Sequence, residues 1–124
     1  DLVRKLTIPV KIDFVQAVSY GSGASSCGRI RLAKEIGVDI KGCDALLVED
    51  IVDTGLTLTY LQHILRARAP RRLRTACLLS KPSRRKVDVA VEYIGFSIED
   101  HFVVGYGLDH AERYRALPHI AIVG

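Results

Sequence analysis

Glu49, Asp50 and Asp53 crowd the middle of "ALLVEDIVDTGLTLTYL", residues 45–61, and are followed at once by Thr54, Gly55 and Thr57. Backbone N–H groups in a tight turn at a helix start converge on one small concavity, and the helix dipole adds partial positive charge there. "DTGLT" therefore reads as a phosphate cradle. Gly55 lets an oxyanion come close to the backbone, and the hydroxyls of Thr54 and Thr57 donate further hydrogen bonds. Carboxylates repel a phosphate, so Glu49 and Asp50 need another polar or cationic partner, either sugar hydroxyls or a divalent metal carried in with the ligand. A ligand with both a phosphate and free ribose hydroxyls satisfies all of these groups. Any one of them alone is an ordinary strand end or helix cap; the combination is what points to a site.

Those residues need a strand that ends where a helix begins. "ALLVED" is apolar enough for a buried strand. After Gly55, the residues Leu58, Leu61, Ile64 and Leu65 recur at helical spacing, with Thr54 or Thr57 available as the cap and Pro70 beyond the end. Upstream, Leu2, Val3 and Leu6 share one face of a short helix stopped by Pro9. "VKIDFVQAVSY" is β-rich and runs into the small-residue loop "GSGASSCG", and "RIRLAKEI" alternates as a half-exposed strand does. "LRTACLLS", "VAVEYIGF" and "HIAIVG" read as later strands. Strand, helix, strand predicts an α/β fold, a mostly parallel twisted sheet flanked by helices, whose ligands bind outside the carboxyl ends of the strands.

The chain has 124 residues, 48% of them hydrophobic, which suits one domain over 1–124 and is too short for two. Its net charge of +4 fits an anionic ligand and is too mild to imply nucleic acid, so phosphorylated metabolites are the expected partners. Cys27, Cys43 and Cys77 are widely spaced and form no CxxC, which argues against a disulfide framework or a zinc site and for a reduced, cytoplasmic setting. No apolar run reaches the length of a membrane span, and "DLVRKLTIPV" has no signal-peptide pattern. The four histidines, His63, His101, His110 and His119, lack ligand-like spacing and receive no role.

"VEDIVDTGLTL" resembles the phosphoribosyl-diphosphate signature of type I phosphoribosyltransferases. "SYGSGASSCG", "LLSKPSRRKVDV", "YIGF" and "FVVGYGLDHAERYRALPHI" are similar, in order and spacing, to the bacterial hypoxanthine-guanine phosphoribosyltransferases, so the resemblance spans the whole chain. It implies a purine-salvage transfer from 5-phosphoribosyl-1-diphosphate to hypoxanthine or guanine, giving the nucleoside monophosphate and pyrophosphate with Mg²⁺ as cofactor. Carried over by position, Glu49 and Asp50 hold the ribose hydroxyls and metal, and Asp53, Thr54, Gly55, Leu56 and Thr57 hold the 5′-phosphate. Asp53 faces purine N7 as the proton-transfer group, and Ser19, Tyr20 and Arg115 complete the diphosphate site. Lys81 donates to the purine 6-oxo group, Phe102 stacks on the base, Val103 meets its edge through its backbone, and Asp109 binds a second metal beside the purine. The loop "SYGSGASSCG" closes over the reacting centre to exclude water. A homodimer or homotetramer is expected, with no membrane or nucleic-acid partner.

Without the resemblance, Phe102 reads as core, Asp109 as a turn residue, and Lys81 with Arg84 to Lys86 as a solvated basic turn. Two other classes compete. Asp-Thr-Gly also marks aspartic proteases, which are all-β and in which two such loops share a proton. A phosphoribosyltransferase-fold regulator that binds nucleic acid could use the basic stretch "RARAPRRLR", residues 66–74, but has no need of Asp53, Lys81 and Asp109 together. Finally, the family pattern has a strand and a Lys-Gly loop ahead of the first helix, and this sequence has neither before Asp1. Strands 10–19 and 45–51 are then expected to flank a gap, the chain being a piece of a longer polypeptide, with direct pairing of those two strands as the alternative.

Overall fold

The apolar spacing after Gly55 does build a helix, and that helix organises the core. In the computed structural model, which describes residues 1–20 and 29–124, the elements are α1 (Leu2–Lys5), β1 (Gln16–Tyr20), β2 (Arg29–Lys34), β3 (Asp44–Val52), α2 (Leu56–Arg66), β4 (Arg72–Ser80), β5 (Tyr93–Ser97), β6 (Val103–Val104) and β7 (Ala121–Ile122). β3, β4 and β5 form a parallel sheet in that order. Leu58, Leu61 and Leu65 of α2 pack with Leu47, Val52 and Cys77 of the sheet as one buried cluster. Burying such a leucine removes roughly 1.5–3 kcal/mol of unfavourable apolar hydration, so three on one face dock the helix firmly. The polar side chain that α2 buries against the sheet is satisfied: Gln62 Nε2 donates to Thr75 Oγ1 and to the Ala90 carbonyl, both at 2.8 Å.

β4 alternates as the pleat requires, with Thr75, Cys77 and Leu79 turned inward and Arg72 and Arg74 outward. At the entry end of the sheet, Asp44 accepts two hydrogen bonds from each of Arg71 and Arg72, which hold its carboxyl well below the usual carboxylate range. β1 and β2 form a separate antiparallel hairpin, and β6 and β7 another, so the parallel sheet is smaller than the strand count of the sequence suggested.

Several expectations are refined. "VKIDFVQAVSY" yields a strand only from Gln16, because Asp13 is used locally: its carboxylate accepts from the N–H groups of Phe14, Gly37 and Val38 and pins the chain before β1. "VAVEYIGF" becomes strand only from Tyr93. "ALLVED" is buried on one face alone, since Leu47 faces α2 while Leu46 and Val48 are 43% and 53% exposed. Direct pairing of β1 with β3 does not occur; among the described residues β1 pairs with β2 and β3 with β4. The Asp-Thr-Gly motif opens α2, which removes the all-β protease reading. No helix among the described residues is long and apolar enough to cross a membrane.

Candidate functional site

The site lies where β3 ends and α2 begins. Parallel register places Val52 beside Ser80, so the residues after both strands leave the sheet side by side. The Lys81 N–H donates to the Val52 carbonyl at 2.9 Å, and the Lys86 N–H donates to the Thr54 carbonyl at 2.9 Å, tying the basic turn to the acidic one. Between strand and helix is a cleft of about 210 Å³ lined by Glu49, Val52, Asp53, Thr54, Gly55 and Thr57 among others.

Gly55 is the N-cap of α2, not Thr54 or Thr57. It adopts φ +85°, a left-handed conformation that costs a non-glycine residue strain, and a Cβ there would sit 2.9 Å from Val89 Cγ1. The side chain that sequence spacing offered as a cap reaches the helix only weakly, the Leu56 N–H donating to Thr54 Oγ1 at 3.4 Å. Gly55 supplies no side-chain cap, so apart from the Leu56 N–H the first-turn N–H groups have no capping side chain among the described residues and can meet an anion in the cleft.

Arg85 supports this turn from behind. Its guanidinium donates to the Asp53 carbonyl and to Ser80 Oγ, both at 2.7 Å, and Ser80 is fully buried. Arg84 Nε donates to Asp53 Oδ1 at 3.1 Å, and the Asp53 side chain is 43% exposed. Lys81 is buried, and its ammonium reaches Asp100 Oδ1 at 3.4 Å. Sequence reading takes Arg84 and Arg85 only as part of a solvated basic turn and gives Asp100 no role, whereas both arginines are tied to the Asp53 turn. The only signal for the two arginines is the density of charge in "SKPSRRK" directly after a buried strand, and Asp100, in "SIEDH", has none.

Glu49 is half-buried beside Cys77 of β4, and burial, with the neighbouring Asp50 charge, pushes its pKa up to about 7. The consequence for stability has a definite sign. Below the ordinary value of 4.5 Glu49 is protonated in both folded and unfolded chains; between 4.5 and about 7 only the folded chain keeps the proton, so stability falls as pH rises through that window. With partial solvent exposure taken into account, we expect a loss of about 2 kcal/mol between pH 5 and pH 8 from this group. Glu49→Gln should remove it, so that the variant is no more stable than the parent at pH 5 but more stable at pH 8. Urea midpoints at the two pH values check this, and an unchanged difference between the two proteins would refute it.

Glu49 and Asp50 are hard oxygen donors, the latter exposed and accepting from the Ile51 N–H. Among the described residues no group of three or more His, Cys, Asp or Glu side chains stands ready to hold a metal. Magnesium commonly binds through one or two carboxylates together with substrate phosphates and water, so the pair fits an ion shared with a diphosphate rather than one caged by protein.

The remaining candidates are distributed more widely. Phe102 is 56% exposed and packs edge-on against His110, with ring centroids 5.2 Å apart; it is a surface ring, not core. Val103 is in β6, in register with Ile122. Asp109 sits in a tight turn, accepting from the Glu112 N–H at 2.9 Å and lying 3.3 Å from Arg115, which also donates to the Gly107 carbonyl. Ser19 and Tyr20 end β1, paired with Ile30 and Arg29, and do not line the cleft. Of the expected closing loop, residues 19–28, Ser19 and Tyr20 belong to β1, and the rest, residues 21–28 with Cys27, lies outside the described residues.

A model of the phosphoribosyl transferase domain matches residues 1–111. The hypoxanthine phosphoribosyltransferase of Salmonella typhimurium is 51% identical over 123 residues, covering 99% of this chain and 69% of that protein. The hypoxanthine-guanine phosphoribosyltransferase of Bacillus subtilis is 42% identical over 99% of this chain and 68% of its own length. A crystal structure of a hypoxanthine-guanine phosphoribosyltransferase from Bacillus anthracis superposes with a TM-score of 0.93 at 48% identity, covering 99% of this chain and 72% of that one. With a helix start set between acidic and basic turns, and with these relatives, the chain belongs to the phosphoribosyltransferase family, in the group that holds the hypoxanthine and hypoxanthine-guanine phosphoribosyltransferases.

Proposed function

We propose that this protein transfers the 5-phosphoribosyl group of phosphoribosyl diphosphate to hypoxanthine or guanine, giving the nucleoside monophosphate and pyrophosphate. The observation that carries the reading is the 2.9 Å bond from the Lys81 N–H to the Val52 carbonyl, which sets the residue that bears a buried ammonium beside the strand end leading into the Asp53 turn and the helix start. In this reading the amides and hydroxyls of residues 53–57 hold the 5′-phosphate, and Glu49 and Asp50 hold the ribose hydroxyls. The bond from C1′ to the diphosphate oxygen breaks as purine N9 bonds to C1′. The proton displaced from N7 passes to the free Asp53 oxygen. Lys81 has only donors to offer, so it suits the 6-oxo group of hypoxanthine or guanine and leaves an exocyclic amine without an acceptor. Phe102 supplies a ring for stacking and the Val103 backbone meets the base edge.

Mg²⁺ held between Glu49 and Asp50 and the substrate oxygens, with a second ion at Asp109, would neutralise charge on the departing diphosphate. Arg115 and the end of β1 at Ser19 and Tyr20 would reach the diphosphate from outside the cleft. A homodimer or homotetramer in the cytoplasm belongs to the same reading. The regulator alternative draws no support from these relatives, and four of the five arginines of its basic stretch are engaged internally: Arg68, Arg71, Arg72 and Arg74 bind Glu35, Asp44, Asp44 and Tyr93. Steady-state rates of the full-length protein with phosphoribosyl diphosphate and each of hypoxanthine, guanine, xanthine and adenine test the proposal. Turnover with hypoxanthine well above adenine supports it; equal use of adenine, or none of any base, refutes it.

A further inference from the structure

The basic turn after β4 and the loop after β5 carry a chain of alternating charges of which the proposed chemistry uses only the two ends, Lys81 and Asp53. Lys81 Nζ lies 3.4 Å from Asp100 Oδ1, Asp100 Oδ2 lies 3.7 Å from Arg84 Nη1, and Arg84 Nε lies 3.1 Å from Asp53 Oδ1. Three connections meet in it: the β3–α2 turn, the β4–β5 connection and the β5–β6 loop. Backbone bonds fix the geometry, since the Ile98 N–H donates to the Ser80 carbonyl at 2.8 Å and the Arg84 N–H to the Lys81 carbonyl at 3.1 Å.

These contacts are too exposed to matter much for stability, because Asp100, Arg84 and Asp53 side chains are 51%, 47% and 43% exposed, and such ion pairs contribute little. Their arrangement matters more. The Lys81 side chain is only 9% exposed, and a nearly buried ammonium requires a partner. An ammonium has three donors, so Lys81 can keep one on Asp100 while offering another to a ligand. Arg84 occupies one Asp53 oxygen, and the other has no hydrogen-bond partner among the described residues.

We propose that Asp100 is a positioning residue for base recognition, orienting Lys81 directly and Asp53 through Arg84. This rests on the reading above, in which Lys81 and Asp53 address the adjacent O6 and N7 atoms of an oxopurine. One carboxylate then sets the separation of the two groups that read the base, without touching the base itself.

The test uses steady-state kinetics of the full-length protein. The parent is assayed first with hypoxanthine and phosphoribosyl diphosphate; absence of turnover overturns both the functional reading and this inference. With an active parent, Asp100→Asn should raise KM for hypoxanthine about tenfold, leave KM for phosphoribosyl diphosphate within about twofold, and lower kcat less than it raises the base KM. Asp100→Glu, which keeps the charge, should recover most of the loss. Combining Asp100→Asn with Arg84→Ala should cost less than the sum of the two singles, because both break one chain of contacts. Thermal midpoints should stay close to the parent's. A base KM unchanged in Asp100→Asn, or both KM values rising together, would overturn the positioning role while leaving the functional reading in place. So would full additivity with Arg84→Ala.

Discussion

Asp53→Asn is expected to lower the turnover number by a factor of about 10² or more while changing the affinity for phosphoribosyl diphosphate by no more than about threefold. The geometry makes this a clean substitution. The Asp53 carbonyl is held by Arg85 at 2.7 Å, and that bond belongs to the backbone, so the turn keeps its shape. An asparagine Oδ1 can still accept from Arg84 Nε, as Asp53 does at 3.1 Å. What disappears is the ability to take a proton as N9 bonds to C1′. Single-turnover rates alongside equilibrium binding of the diphosphate separate the two effects. A turnover within about threefold of the parent would show that Asp53 is only an ion-pair partner of Arg84 and that the proton leaves by another route.

Lys81→Gln is expected to reduce kcat/KM for hypoxanthine by about tenfold or more and to narrow the preference over adenine by a similar factor. The parent ammonium is buried against the strand end and presents donors only, so a 6-amino group meets no acceptor there. Glutamine brings both a donor and an acceptor to the same place. Its neutral side chain also leaves Asp100 with Arg84 as its remaining cation, at 3.7 Å. Competition between the two bases at fixed diphosphate measures the ratio. An unchanged ratio would mean that the 6-position is read elsewhere, and the base-pocket assignment would have to move.

Local chemistry is legible in the amino-acid order alone. A strand ending in Glu49 and Asp50, a turn at Asp53 to Thr57 and an amphipathic helix beyond it depend on neighbours within a few residues, and the structure places each of them as one unit at β3 and α2. Even there the helix cap differs from the threonine that the sequence pattern favours. Sequence rules prefer a hydroxyl at a helix start, whereas the backbone needs the left-handed φ of +85° that Gly55 takes without strain.

By itself, then, the sequence determined the family, the α/β class and the acidic turn between strand and helix, because each rests on short-range patterns of polarity and backbone permissiveness. Tertiary structure decided which strands pair and which charges meet. A period-two pattern says which face of a strand is buried but not which residue of the next strand stands opposite it, and a shift of one residue would turn every side chain over. The register that sets Val52 beside Ser80 brings Lys81 to the Asp53 turn, and the loop after β5 then brings Asp100 to both Lys81 and Arg84. Asp53 and Arg84 are separated by 31 positions, and Lys81 and Asp100 by 19, so no local rule connects them; the parallel register of β3, β4 and β5 and the turns that leave those strands do.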